Sequence, residues 1–392
     1  MIQIIIKYGR PIVLAIKKSG STPPPIISWI WGTITGTNWG TSTPDKLWGV
    51  PESTTAPANL TAPTITGAAI VGQTLTINGG TWSAVPYILK YDIYRGATLL
   101  TSLATSNSSI SYTLVQTDAG NTSNIKCTVS AINSAGTTSA DSNTIVRILD
   151  TLTNNYITGL TLTSGEIDSF NTLYLALRSN NYHTEIDRLN IYGSATQAAS
   201  NKSLFGSFTA TPINSPTWSR KVGYTHTGTS YLTTGYTPSI NSVKATLNNN
   251  SYIVGFNNLP NTADSMLGGA TSSGLPSGLS LYSVNINLLI RSYATGNITA
   301  FTNRLLSDTY AAIVRTSSTS ITGYLNSATS INASTVNNPI VDLEIFEGAR
   351  NLSGVASLPM VSGSISRYGC IGSANINPVT FNTIVQNFIA SL

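Results

Sequence analysis

His183 and His226 are the chain's two histidines, 43 positions apart. Imidazole is the group that exchanges a proton near neutral pH, so a general base or metal ligand would be sought there first. Neither has a partner at metal-ligand spacing, and each reads as a surface or turn residue. Paired carboxyl groups could cleave a glycosidic bond, one acting as acid and one as base or nucleophile. The close sets are Glu166/Asp168, Glu185/Asp187 and Asp342/Glu344/Glu347. The first sits at a predicted helix start, where acids favour the macrodipole. The second flanks an apolar run ending in Arg188 and reads as a solvated face. In the third, Asp342 and Glu344 alternate with the apolar residues between them, as on an exposed edge strand. No G-x-S-x-G, Walker loop or HExxH is present. Cys127 and Cys370 stand 243 positions apart, outside any CxxC, and read as buried small apolar residues. Asn181 with Asp187, and the run Asn248–Asn250, approach a calcium loop, but the run holds no carboxylate and reads as a turn. The residue inventory predicts no catalytic residue, no metal and no cofactor.

Binding chemistry is better represented. Aromatic rings stack on sugar faces and amides bond their hydroxyls, which makes Trp218, Tyr224, Tyr231, Tyr236 and Asn326 the carbohydrate-binding candidates. The competing reading places Trp218 and Tyr231 in the core of adjacent strands. A second concentration lies near the start. Lys7, Arg10, Lys17 and Lys18 all precede the first acid, Asp45, and Trp29, Trp31, Trp39 and Trp48 supply four of the six tryptophans. Three of these open the quasi-repeat Trp31-Gly32, Trp39-Gly40, Trp48-Gly49. So short a segment cannot bury four indoles by itself, so it straps onto the next domain or docks on another subunit; Trp enrichment at interfaces favours docking. The basic residues suit an acidic partner surface or the solubility of a hydrophobic hairpin, IQIIIKY and IVLAIKK around Gly9-Arg10-Pro11. These apolar runs are far shorter than the ~20 residues a membrane helix needs. Beyond residue 18 the chain carries 16 bases against 15 acids, so no broad nucleic-acid footprint is expected.

The elements that must hold these residues are signalled by composition. The 392 residues are 9 % charged and 41 % hydrophobic, and 141 of them are Ser, Thr or Asn. Thr, Val, Ile and Tyr favour strands, so the chain reads as mainly β. STTAPANLTAP, residues 53–63, reads as a linker after the polyproline turn at Pro23–Pro25. Strands are expected at Gln73–Ile77, Tyr87–Arg95, Ser111–Leu114, Asn124–Ala131 and Thr137–Ser142, with spacing that suits a sandwich. The runs APTITGAAIVGQTLTINGGTW, YDIYRG and YTLVQTDAGNTSNIKCTVSAINSAG resemble the bacterial and phage immunoglobulin-like repeat. Against that family's pattern, Ile93 replaces the core tryptophan, and Cys127 lacks a strand-B partner because Leu75 and Ile77 occupy that neighbourhood. The resemblance implies a spacer or weak adhesion module.

Residues 150–392 open and close with helices. Ile167, Phe170, Leu173 and Leu177 recur at helical spacing behind a Thr163-x-x-Glu166 capping box. Asn377 can cap a second helix, with Pro378 in its first turn and Phe381, Ile384, Phe388 and Leu392 on one face. Between them strands are expected at Tyr252–Phe256, Leu279–Asn285, Asn287–Tyr293, Tyr310–Arg315, Ser320–Leu325 and Ile340–Phe346. EIDRLNIYG and NSPTWSRKVGYTHTGTSYLTTGYTP are similar to a module of phage tail and head-fibre proteins. YAAIVRTSSTSITGYLN is similar to the paired strands of laminin-G and concanavalin-like domains, with Ser327 in place of a glycine.

Together these readings predict a mainly β protein in three parts. Residues 1–57 form an extended anchor, 58–149 an Ig-like sandwich, and 150–392 a larger jelly-roll, concanavalin-like sandwich with flanking helices. The resemblances imply a phage structural protein, a head fibre or tail-associated decoration on the virion surface, assembled in the bacterial host cytoplasm. Its N-terminus would bind other virion proteins and its C-terminal part a host-surface glycan. It would be a homo-oligomer without enzymatic activity, nucleic-acid binding or membrane insertion. The competing readings are a purely structural decoration protein and a fibre-borne polysaccharide depolymerase.

Overall fold

The computed structural model describes residues 13–14, 27–28, 54–84, 86, 88–259, 264–270, 278–284, 287–294, 298–302, 307, 309–333 and 339–392. Within the first 53 residues it describes the antiparallel pair Val13–Leu14 and Ile27–Ser28. Val13–Leu14 thus pairs with Ile27–Ser28; the strand IQIIIKY expected as its hairpin partner, and the anchoring candidates Lys7, Arg10, Lys17, Lys18, Trp29, Trp31, Trp39 and Trp48, lie outside the described residues. No helix among the described residues is long and apolar enough to cross a membrane.

The chain is mainly β and divides into two compact units. The smaller holds the described residues up to Thr66 together with Thr76–Ser111 and Ile125–Thr144. One sheet runs in the order Gly136–Asp141, Gly120–Asn133, Ile88–Arg95, Thr98–Thr105, all antiparallel. A three-stranded sheet joins Thr64–Thr66, Thr74–Asn78 and Ser109–Thr113. Each of the five strands expected from the pattern is present within a few residues. Period-two alternation explains them: Cys127, Val129 and Ala131 are fully buried, and Lys126, Thr128 and Ser130 between them are half-buried. Ile93 pairs opposite Cys127 and fills the interior with aliphatic surface. Cys127 is a free, buried thiol whose pKa burial pushes up to about 12.

The larger unit holds Gly67–Leu75, Tyr112–Asn124 and Ile145–Leu392. Its helices are α1 (Thr151–Ile157), α2 (Ser164–Ser179), α3 (Gln197–Asn201), α4 (Pro238–Asn241) and α5 (Pro378–Ser391). The strands that matter below are β1 (Ile186–Ile191), β2 (Thr217–Ser219), β3 (Gly223–Thr225), β4 (Tyr231–Thr233), β5 (Asn250–Asn257), β6 (Asp264–Ala270), β7 (Gly278–Val284), β8 (Asn287–Ala294), β9 (Ile298–Phe301), β10 (Tyr310–Arg315), β11 (Ser320–Leu325), β12 (Ala328–Ala333), β13 (Phe346–Glu347) and β14 (Ile365–Gly372). One sheet has the order β2-β3-β14-β5-β10-β11-β12, with β1 also paired to β14. The other runs Thr211–Ile213, β4, β13, β6, β7, β8, β9.

Three layers result. Tyr252, Val254 and Phe256 of β5 face one core, with Ile313, Met266, Leu288 and Ile345. Ile253 of the same strand faces the opposite core, with Phe170, Leu177, Phe381 and Phe388 of α2 and α5. A strand covered on both faces has no reason to alternate, which is why YIVGF reads as a continuous apolar run. The helices pack through Phe170 and Phe388, their ring centroids 4.8 Å apart. Both start as expected. Thr163 and Glu166 form a capping box on α2, and the Asn377 carboxamide accepts from Val379 and Thr380 N–H on α5. α5 has no basic residue in its last turn, and Lys221 reaches the Ala390 carbonyl from outside the helix.

The expected strand Ile340–Phe346 is not formed; the ladder begins at Phe346. Its polar groups are taken elsewhere. Ile345 N–H donates to Tyr236 O, and Glu344 turns its carboxylate onto the N–H groups of Thr234 and Gly235 at 2.6 and 2.5 Å. Val341 and Ile345 stay buried, so the alternation read in the sequence survives without the strand.

Candidate functional site

β1 is the strand whose sequence, IDRLNI, contradicts its position: all six residues are buried. Arg188 is fully buried and crosses from one sheet to Glu347 of β13 in the other, Nη1 to Oε1 at 2.5 Å. Its Nη2 donates to the Tyr192 hydroxyl at 2.9 Å. Burial works against the guanidinium charge, and Tyr192 and Glu347 more than offset it, holding the pKa above the ordinary arginine value. Burial also holds the Tyr192 hydroxyl well above its usual pKa. Glu347 occupies space that any side chain at 369 would fill: a Cβ on Gly369 would stand 1.9 Å from Oε1.

His226 is 2 % exposed, its ring against Gly348, the residue after Glu347. Its Nδ1 faces the Ser230 carbonyl at 3.0 Å, which can only accept, so Nδ1 carries the proton. Nε2 then accepts from the Ser366 hydroxyl at 2.9 Å. Gly348, at φ +73°, leaves the ring its space. Burial pushes the imidazole pKa down to about 4, so the ring is neutral at physiological pH.

Two more carboxylates are spent on backbone. Asp187, 8 % exposed, accepts N–H bonds from Val243, Lys244 and Ala245 between 2.8 and 3.1 Å. Asp150, fully buried, caps α1 through Leu152 N–H and receives Arg178 through Nε and Nη2 at 2.7 and 3.0 Å. Burial raises its pKa, but the Arg178, Leu152 and Gln116 hydrogen bonds together lower it below the usual carboxylate value. Asn121 joins the same region, donating to Asp168 O and Thr172 Oγ1 of α2. These bonds explain why Tyr112–Asn124 groups with the larger unit.

These placements correct several expectations. Glu185/Asp187 with Arg188 is not a solvated face, because Asp187 and Arg188 are buried, the first against the 243–245 backbone and the second against Glu347 and Tyr192. Asp342 and Glu344 are not on an edge strand, since no strand forms there and Glu344 accepts from Thr234 and Gly235 N–H. His226 is neither a surface nor a turn residue. Among the carbohydrate candidates, Tyr224 and Tyr236 are fully buried and offer no face to a ligand. Tyr224 donates to Asn201 Oδ1 at 2.6 Å, and the Tyr236 hydroxyl shares a bond with Ser242 Oγ at 2.6 Å. Asn326, at φ +51°, turns the β11–β12 hairpin and accepts from Thr309 N–H at 3.0 Å. Trp218 is half-buried, its indole N–H donating to Tyr192 O and Ser200 Oγ at 2.9 and 2.8 Å. Tyr231 is half-buried and stacked on Phe346 at 4.8 Å. Trp218 and Tyr231 belong to β2 and β4 of different sheets, so the reading that makes them neighbours in adjacent strands fails too. Among the described residues no group of three His, Cys, Asp or Glu side chains is arranged to hold a metal ion.

No family model and no curated protein matches the chain. Similar solved structures include a sialidase of Trypanosoma rangeli in complex with 2,3-difluorosialic acid (TM-score 0.39, 9 % identity, 83 % of this chain and 53 % of that one). Others are the Ruminococcus gnavus IT-sialidase CBM40 (0.27, 12 %, 36 % and 83 %) and domain 4 of AbnA, a GH43 extracellular arabinanase from Geobacillus stearothermophilus (0.34, 12 %, 52 % and 98 %). The chain spans about half the length of the sialidase.

Proposed function

We propose that the chain is a structural and attachment protein of a phage particle that acts by binding, without a reaction. Residues 1–57 anchor it to other virion proteins, the Ig-like segment spaces it, and the C-terminal sandwich faces a host-surface glycan. The observation that carries this reading is where the charge goes. Asp150, Asp187, Glu344 and Glu347 are each consumed by backbone N–H groups or an arginine, and His226 is buried and neutral. A general acid or base needs a shifted but accessible carboxyl or imidazole, and these groups are committed to holding the fold. The charge-poor, Ser-, Thr- and Asn-rich composition suits an exposed assembly component, and repetition on a particle converts weak contacts into strong attachment.

The test uses the full chain and a variant lacking residues 1–50. Glycan-array binding that is lost in Trp218→Ala, with an unchanged melting curve, supports attachment through the half-exposed indole. Absence of the truncated chain from purified particles supports the anchor. Release of reducing ends from a polysaccharide that requires Asp342 or Glu344 would overturn the reading.

A further inference from the structure

In the smaller unit, the sheet that begins at Gly136–Asp141 ends on Thr98–Thr105, and no described strand pairs with the far side of that strand. An edge strand presents a row of free N–H and C=O groups, which proteins blunt with lysine, proline or a bulge. TLLTSLAT holds no charge and no proline. It has a bulge where the register passes from Leu99↔Tyr94 to Thr101↔Ile93 and leaves Leu100 over, so Thr101–Thr105 stays regular. The turn decides which groups are free. Gly96-Ala97 joins the paired Arg95 and Thr98, and a two-residue hairpin closes on a pair that exchanges both hydrogen bonds. Alternation along Ile88–Arg95 then turns Ile93, Tyr91 and Leu89 toward the edge strand, and their partners Thr101, Leu103 and Thr105 bond back to them. Ser102 and Ala104 point their N–H and C=O groups outward. Leu103 shares a face with the buried Tyr91 and Ile93 yet is 47 % exposed, at the margin of that core.

We propose that this edge pairs antiparallel with the same edge of a second copy of the chain, the two Leu103 residues facing each other across a two-fold axis. Outward backbone donors and acceptors at every second residue are matched by another extended strand, and this strand complements itself. With Leu103 on the axis, Ser102 faces Ala104 of the second copy and exchanges both backbone hydrogen bonds with it, and the symmetric pair does the same. Thr101 faces Thr105, a cross-strand combination that sheets favour. The two half-exposed leucines cover each other and join the buried Tyr91 of each copy in one continuous apolar row. On the opposite face, Asp92 lies beside Ser102 and Lys90 beside Ala104. The joined sheet therefore reads Asp92, Ser102, then Ala104 and Lys90 of the second copy, with opposite charges at the two ends of the row. Moving the axis to Ser102 would part the leucines and align Asp92 with Asp92. The contact is isologous, so it closes as a dimer. A ladder over Thr101–Thr105 covers far less than the ~1,200 Å² of a stable isolated interface, so the dimer forms at high local concentration.

Disulfide formation reads the axis. In the pair the two Leu103 Cα atoms stand about 4.5 Å apart, within disulfide reach, and both native cysteines are buried. Full-length Leu103→Cys, oxidised at high concentration without denaturant, should form a covalent dimer at least about tenfold faster than Leu60→Cys. Leu60 is the more exposed position, at 66 %, and lies on another sheet. Equal rates would mean random collision and overturn the pairing. Sedimentation velocity supplies an independent readout. Ala104→Pro removes an outward N–H and leaves the inner ladder intact, and Leu103→Lys sets like charges against each other on the axis. Each should melt like the parent and self-associate at least about tenfold more weakly. Association unchanged by either folded variant refutes the edge as the contact. A parent that stays monomeric up to about 1 mM refutes the second copy as its occupant.

Discussion

The two units treat charge in opposite ways. In the smaller one, Lys126 and Asp141 meet at the surface at 3.0 Å with side chains 37 % and 53 % exposed, around an interior of Ile77, Tyr91, Ile93 and Val129. In the larger one, Arg188 and Glu347 meet at 2.5 Å with side chains 0 % and 2 % exposed. A chain with few charges has placed several where charge is hardest to hold. Apolar burial is non-directional and tolerates small slips. An arginine spanning two sheets is satisfied only in the register that brings Glu347 and Tyr192 to it.

The contrast predicts a ranking. Glu347→Gln leaves Arg188 buried without its counter-charge and should lower unfolding free energy by about 3–5 kcal/mol, read as a fall in the urea midpoint. A loss below 1 kcal/mol would erase the distinction between the units. His226 comes next. Its folded pKa of about 4 lies below the ordinary 6.5, so the fold favours the neutral ring. That stability is complete above pH 6.5 and is lost as pH falls toward 4, about 3 kcal/mol in all. Urea titrations at pH 7 and 4.5 should show the loss, and His226→Asn should flatten it; burial and the neighbouring Arg178 also lower the His183 pKa. Asn377→Ala removes the α5 cap at a cost of about 1 kcal/mol. Asp141→Asn should change the melting of the smaller unit by less than about 1 kcal/mol, because the pair it breaks is solvated.

Local signals were legible where local physics decides. The strands Tyr310–Arg315 and Ser320–Leu325 and the caps at Thr163 and Asn377 follow from pattern and side-chain chemistry within a few residues. Cys127 and Cys370 read as buried because nothing near them competes for a thiol. The site was less legible. Arg188 and Glu347 are 159 residues apart, and only the folded sheets bring them together. Their signal was present but pointed the wrong way: an Asp-Arg pair inside an apolar run, in a chain this poor in charge, marks a buried partner rather than a wet face. Tyr224 and Tyr236 misled for the opposite reason. Stacking and core packing use the same ring, and only burial separates them.

The antiparallel pairing of β1 with β14 carries a consequence in time. β1 hydrogen-bonds to residues 368–372, and its arginine needs residue 347. At ~5–20 residues per second, the ribosome makes the counter-charge of Arg188 roughly ten to thirty seconds after the arginine itself. Through that interval the strand lacks β14 beside it, and Arg188 lacks its counter-charge. A strand of six aliphatic residues would aggregate while it waited. Asp187, Arg188 and Asn190, so costly once buried, keep this one hydrated until its sheet exists.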